Sequence, residues 1–434
     1  MTDLETPVAR RGSAALRRAA PALLGYAAVR ALGLLALAGW SAARDKSAYT
    51  LLTARWDALW YTRVAELGYG YEVRLPNGDV HSNLAFFPLL PWLERLLHAV
   101  TPLSYADAGF VVSLLASLAA AWGIFAIADH VYGQKGEGAK RGLGRVVGGD
   151  GRAGVCAVLL WAVLPVGIVQ SMAYSESLFT ALAAWSLYAV LTGRWLTAGS
   201  LALLAGLTRP VGLAVVAAVW AAGIASFVRA RDRDLAPSVR YRSAAPDPGA
   251  HALSRAASSS GGAGIEGASA GRRALGMLLA PLGAAGYVLW VGHHTGKGPL
   301  GYLDVQAGWR NGFDGGYAFA RFVAEKFTSF PSALAGLGLV VGVGLVVWLY
   351  VVCVRQRQPL PLLVYAGVVT ALALCASSYF GSKPRLLLPA FPLLLPLALA
   401  LARLRTAAAA LVVGGVAAAS AVYGAFWLNG SGPP

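Results

Sequence analysis

The chain has 434 residues, 57% of them hydrophobic and 13% charged, with a mean hydropathy of +0.60. A soluble domain of that length needs more polar surface, so soluble-enzyme classes are excluded and the composition is that of a polytopic membrane protein. The formal net charge of +16 does not imply nucleic acid, because the arginines cluster between apolar runs, as the positive-inside rule and anionic headgroups demand.

Segment 1–18, with Arg10, Arg11, Arg17 and Arg18, predicts a cytoplasmic N-terminal tail. The apolar run that follows is longer than a signal-peptide core and has no convincing cleavage site, so it reads as a retained first helix. Hydropathy then predicts about eleven spans, near 19–42, 106–130, 153–172, 175–193, 196–208, 210–228, 273–292, 332–354, 359–379, 385–402 and 405–427. With the N-terminus inside, Lys135, Lys140, Arg141, Arg145, Arg152, Arg194, the segment Arg229 to Arg273, Arg355, Arg357, Arg403 and Arg405 all fall on the cytoplasmic side. The run 86–100, opening Phe86-Phe87-Pro88, is too short to span and carries charge, so it predicts an interfacial or re-entrant helix. Counting it as a span would place every later basic loop outside.

The fold expected is therefore an all-α membrane bundle. An N-terminal transmembrane module over 19–228 carries a long outer loop at 43–105. A linker over 229–272, rich in Ser, Gly, Ala, Pro and Arg, has too few large apolar residues to fold alone and predicts a disordered cytoplasmic tether. A C-terminal transmembrane module over 273–434 carries a second long outer loop at about 293–331. Thr208-Arg209-Pro210 predicts a broken or tilted hairpin. No internal repeat supports an inverted-repeat transporter.

Polar residues that resist a packing explanation lie mostly on the predicted outer face. Arg55-Trp56-Asp57 precedes Trp60 and Tyr61 on a predicted amphipathic helix over about 53–67, where Asp57 and Tyr61 share a face. Trp56, Trp60 and Tyr61 suit an interfacial anchor, whereas a lone carboxylate beside the headgroups suits a general base. Glu176 in Tyr174-Ser175-Glu176-Ser177 either favours the start of the following helix or holds an acceptor. Arg209, Lys383 and Arg385 are outer cations against the positive-inside trend; snorkelling explains one such residue, and three together point to an anion such as a lipid phosphate. Arg30 lies inside the first span and needs a partner or a wet path.

His81 and Asn83 are candidates for sugar hydroxyls, although a polar loop holds such residues by default, and His293-His294 is equally open. Cys156, Cys353 and Cys375 lie in apolar runs without metal or redox spacing. No sequence-local metal motif exists, although Asp57 and Glu176 could meet at a divalent cation. No Gly-rich phosphate loop follows a predicted strand and no alternating strand-and-helix Rossmann segment exists, so any sugar donor is expected to be lipid-linked.

Arg55-Trp56-Asp57, the Phe86-Phe87-Pro88-Leu89-Leu90-Pro91 turn, Tyr174-Ser175-Glu176-Ser177-Leu178-Phe179, Leu207-Thr208-Arg209-Pro210 and Pro384-Arg385-Leu386 with Pro389-Ala390-Phe391-Pro392 occur in an order that resembles the PIG-V-like mannosyltransferases, within the GT-C glycosyltransferases. The resemblance implies a polyprenyl-phosphate-mannose donor, inversion at the anomeric carbon, and Asp57 as catalytic base. Arg385, Lys383 and Arg209 are the candidates for the donor phosphate, and Glu176, Arg55, His81 and Asn83 for the sugar or acceptor. The acceptor class, whether glycolipid, glycan or protein, stays open. An Arg-, Ala- and Gly-rich composition suggests a GC-rich bacterium, and the resemblance implies an active site on the extracytoplasmic face of its plasma membrane. Two rival readings are a transporter or lipid flippase using Arg30, Glu176 and Arg209 as a path, and a non-catalytic subunit of a glycosylation complex.

Overall fold

The computed structural model describes residues 7–138, 151–240, 270–377 and 379–430. The first half holds α1 (Pro7–Ala42), α2 (Ala48–Thr53), α3 (Asp57–Leu67), α4 (Leu89–Val100), α5 (Tyr105–Gly138), α6 (Arg152–Ala162), α7 (Ser175–Leu191), α8 (Trp195–Gly206) and α9 (Leu213–Arg240). The second holds α10 (270–279), α11 (Leu282–His294), α12 (Gly301–Gly308), α13 (Tyr317–Glu325), α14 (Ser332–Arg355), α15 (Leu360–Cys375), α16 (Lys383–Leu386), α17 (Leu395–Arg403) and α18 (Thr406–Leu428). An antiparallel hairpin of β1 (Glu72–Arg74) and β2 (Val80–Ser82) sits in the first long loop.

The chain is a helical polytopic membrane protein. Among the described residues 6 helices are long and apolar enough to cross a bilayer, or 7 if a bent pair counts as one span. Eleven full crossings are not established, because α6, α7, α8 and α15 are apolar but only 10–17 residues long. The shortfall has local causes. Pro165 follows the end of α6, and the chain continues as a 3-10 turn, Gly167–Ser171. Pro389 and Pro392 lie where Phe380–Leu386 and Phe391–Arg403 meet at 74°. The tail expected over 1–18 is helical from Pro7 onward. The tether expected over 229–272 is helical as far as Arg240, and 241–269 lie outside the described residues.

Backbone polar groups freed by these breaks need partners in an apolar medium. Arg30 supplies two of them, donating to the carbonyls of Ala162 and Gly167 at the broken end of α6. The intramembrane guanidinium is thus a helix cap, which removes it from the path that a transport reading requires.

Close helix approach depends on small residues. A Cβ on Gly199 would strike the backbone of Gly276, and one on Gly283 would strike the Leu203 carbonyl, so α8 lies directly against α10 and α11. At one end of the bundle the two long loops pack on each other. The Tyr287 hydroxyl donates to the carbonyls of Leu84 at 2.9 Å and Phe86 at 2.8 Å, and the Trp309 indole donates to the Ser82 carbonyl at 3.0 Å.

α4 is the short amphipathic helix expected over 86–100, starting at Leu89. Its Glu94 is 0% exposed, and neither carboxyl oxygen has a hydrogen-bond partner. It lies against α5 at Gly109, where any Cβ would collide with the carboxyl. Burial pushes the Glu94 pKa far above the ordinary carboxylate range. The unfolded chain ionises Glu94 at its ordinary value, so its contribution to stability is complete below that value and is lost as pH rises toward the native one. Thermal unfolding of detergent-solubilised protein between about pH 5 and pH 8 checks this: the wild type loses more Tm with rising pH than Glu94→Gln.

Candidate active site

Four breaks in helical structure converge on one cluster of charge. Pro210 disfavours helical backbone at Arg209, which is extended at φ −162° and ψ 155°, so α8 ends and the guanidinium turns inward. Trp56 adopts φ 52°, a left-handed conformation that L residues seldom take, and the chain turns so that Asp57 becomes the first residue of α3. Asp57 there faces the positive end of its own helix. Glu176 occupies the first turn of α7, and Arg385 the short α16 in the bent segment.

The guanidinium of Arg385 links both acids. Its Nη2 donates to Asp57 Oδ2 at 2.8 Å, and its Nε stands 3.1 Å from Glu176 Oε1 without hydrogen-bond alignment. Arg209 pairs with the same Glu176 oxygen from the other side. The order is Arg209, Glu176, Arg385, Asp57: alternating and formally neutral. The Glu176 side chain is 1% exposed and the Asp57 side chain 26%. The first carboxylate is therefore held by charge in a dry setting, and the second reaches solvent. Arg385 Nη1 is buried without a hydrogen-bond partner. The Tyr174 ring lies 5.1 Å beneath the guanidinium, and Tyr61 shares a 2.7 Å hydrogen bond with Ser175.

Asp57, Arg209 and Arg385 line a cavity of about 450 Å³. Val369, Leu372, Leu386 and Pro389 give it an apolar lining, and Trp60, Phe86, Trp309, Gln306 and Asn311 an aromatic and amide lining. The aromatic wall is fixed in place. Trp60 stacks on Phe86 at 5.7 Å and meets Trp309 edge-on at 5.0 Å, while Trp309 stacks on His81 at 4.0 Å. The amides are ordered too: Asn311 donates to Gln306 at 3.1 Å, and Gln306 donates to the Tyr302 hydroxyl at 2.6 Å.

The sequence expectations divide at this point. Asp57, Glu176, Arg209 and Arg385 come together, with Trp56, Trp60 and Tyr61 on the cavity wall. Lys383 does not join them. Its ammonium donates to the carbonyls of Ala373 and Ala376 at 2.8 Å and of Leu374 at 3.3 Å, capping α15, and lies 4.7 Å from the Phe319 ring. All of its donors are directed to the end of a helix, which corrects the expectation that it holds a phosphate.

Asn83 is corrected likewise. It is 0% exposed, and its amide bonds the backbone of Gly68 and Gly70, bracing a turn instead of facing a sugar. His81 backs Trp309 without lining the cavity. Burial lowers its pKa, with Asp79 opposing and Arg310 reinforcing, so the ring is neutral at neutral pH. Arg55 points toward the end of α18, donating to the carbonyls of Leu428 and Gly430.

A divalent cation between Asp57 and Glu176 does not fit, because Arg385 occupies that position and no group of three or more His, Cys, Asp or Glu gathers among the described residues. Sequence reasoning missed Gln306, Trp309, Asn311 and Tyr379, all of which line the cavity. Trp309-Arg310-Asn311 repeats in the second long loop the aromatic-among-polar signature that singled out Trp56 in the first. No protein-family model, curated protein or solved structure matches the chain.

Unequal burial of the two acids predicts unequal costs of neutralising them. Glu176→Gln leaves two buried guanidiniums facing each other and destabilises by about 3–5 kcal/mol. Asp57→Asn, at a partly wet site, costs about 1 kcal/mol or less. Denaturation of both variants in the same detergent measures the difference.

Proposed function

We propose that the protein is a membrane glycosyltransferase that moves a hexose, mannose by resemblance, from a polyprenyl-phosphate donor to an acceptor hydroxyl with inversion, working at the extracytoplasmic face of a bacterial plasma membrane. The observation that carries the reading is the hydrogen bond between Arg385 and Asp57 at 2.8 Å inside a cavity that has one apolar and one aromatic-amide wall. An apolar wall suits a lipid chain, guanidiniums suit a phosphate, and an aromatic face flanked by amides suits a sugar ring.

In this mechanism the acceptor oxygen attacks the anomeric carbon from the face opposite the phosphate. The bond from that carbon to the phosphate oxygen breaks, and the phosphate leaves with the electron pair. Asp57 takes the acceptor proton. Arg385 couples the two ends. While Asp57 is ionised it shares the guanidinium; once protonated it loses most of its attraction for Arg385. The guanidinium is then released toward the phosphate just as that group gains a second negative charge. The unpartnered Nη1 is the donor from which this hand-over starts, with Arg209 adding a second positive charge at the same end.

Transfer from labelled polyprenyl-phosphate-mannose by membranes carrying wild type or Asp57→Asn tests the base role. Asp57→Asn is expected to lose about a hundredfold or more in rate while staying folded. Full transfer by a folded Asp57→Asn variant refutes it. Lys383→Met separates cap from phosphate ligand: its Tm falls and its KM for the donor is unchanged, whereas Arg385→Met raises that KM.

A further inference from the structure

The turn that presents Asp57 is strained, and something outside it must hold it. Trp56 sits at φ 52° immediately before Asp57, a conformation that persists only where its surroundings over-determine it. The Trp56 N-cap has no side-chain hydrogen bond to the first turn of α3. Local capping does not fix the turn.

Arg55 does. Its guanidinium lies 4.0 Å over the Trp56 indole. The same group donates to the Leu428 carbonyl at 3.3 Å and the Gly430 carbonyl at 3.1 Å. The Leu428 carbonyl ends α18, where the helix leaves acceptors unpaired and carries partial negative charge, and Gly430 lies just past its C-cap Asn429. The carbonyl between them, that of Asn429, accepts from Lys46 at 2.6 Å. The end of α18 is itself immobilised, because the buried Asn429 amide donates to Ser41 on α1 at 3.1 Å. Three successive carbonyls are therefore held by two cations that flank α2.

We infer that Arg55 is a positioning residue: stacked on Trp56 and anchored to the end of α18, it holds the strained turn that sets Asp57 against Arg385. The planar guanidinium meets two requirements at once, lying flat on an indole while its edge forks to two carbonyls, which an ammonium does not reproduce. Nothing in this arrangement needs Arg55 to touch substrate.

The kinetic part rests on the glycosyltransferase reading; the structural part does not, and the experiment has an arm for each. Backbone hydrogen exchange of residues 54–58 in the purified, detergent-solubilised full-length protein is compared for wild type, Arg55→Lys and Arg55→Ala, together with kcat and donor KM for transfer from polyprenyl-phosphate-mannose. Arg55→Ala is expected to speed exchange across the turn and to lower kcat by about a hundredfold, the scale of a small misplacement of a reacting group. Donor KM is expected to stay within about twofold, with Arg55→Lys intermediate in both readouts. Shortening the chain after Leu428 removes the Gly430 carbonyl together with Asn429, whose amide anchors the end of α18 and whose carbonyl accepts from Lys46, and is expected to act in the same direction without altering the turn sequence.

Unchanged exchange in Arg55→Ala and in the shortened chain overturns the clamp whether or not sugar is transferred. Loss of rate that appears wholly in KM overturns positioning in favour of substrate contact. Faster exchange in a protein whose wild type transfers no sugar supports the clamp and defeats only the glycosyltransferase reading.

Discussion

Everything near the cavity depends on placing Glu176 in a dry site. A carboxylate at 1% exposure is unfavourable by several kcal/mol unless opposite charge compensates it. Here Arg209 and Arg385 provide that compensation from two separate parts of the chain. Neither reaches Glu176 from a continuous helix. Arg209 needs the extended residue before Pro210, and Arg385 needs the bent segment between Phe380 and Arg403. The ion cluster and the helix breaks are one feature seen from two sides.

Each break exposes backbone groups, and much of the remaining polar chemistry serves to satisfy them. Lys383 caps α15, Arg30 caps α6, the Thr208 hydroxyl bonds the Ala205 carbonyl, and Arg55 with Lys46 caps α18. Around the cavity the basic residues thus do two kinds of work: Lys383, Arg30 and Arg55 are directed at carbonyls of helix ends, and Arg209 and Arg385 at carboxylates. Because the cluster is formally neutral, a phosphate bound there on the proposed reading would make it anionic, and a proton accepted by Asp57 would offset the second charge acquired by the leaving phosphate.

Much of this was legible in the sequence, for reasons that also explain what was not. Hydropathy and loop charge identified the helical membrane class, and charge against the positive-inside trend singled out Arg209 and Arg385. The amphipathic pattern identified α3 and α4 to within a few residues. Eleven full spans are not established, because hydropathy averages across Pro165 and Pro389, where the backbone turns. Lys383 and Arg385 are two residues apart and look alike in sequence; which one faces the cavity depends on the direction of a four-residue helix. The place of Asn83 was not legible because a polar side chain that satisfies backbone groups has the same local signature as one awaiting a ligand. The amide wall at Gln306 and Asn311 joins the site only because the second long loop folds onto the first.

On the proposed reading the Arg209–Glu176–Arg385–Asp57 cluster is the seat of a lipid phosphate. A cryo-EM structure of the protein in nanodiscs supplied with polyprenyl phosphate is the test. Phosphate density is expected within hydrogen-bond reach of Arg385 Nη1 and beside Arg209, with the lipid chain along Val369, Leu372 and Leu386 and the bond from Arg385 to Asp57 lengthened. Phosphate density at Lys383, or anywhere outside the cavity that Asp57 lines, contradicts it.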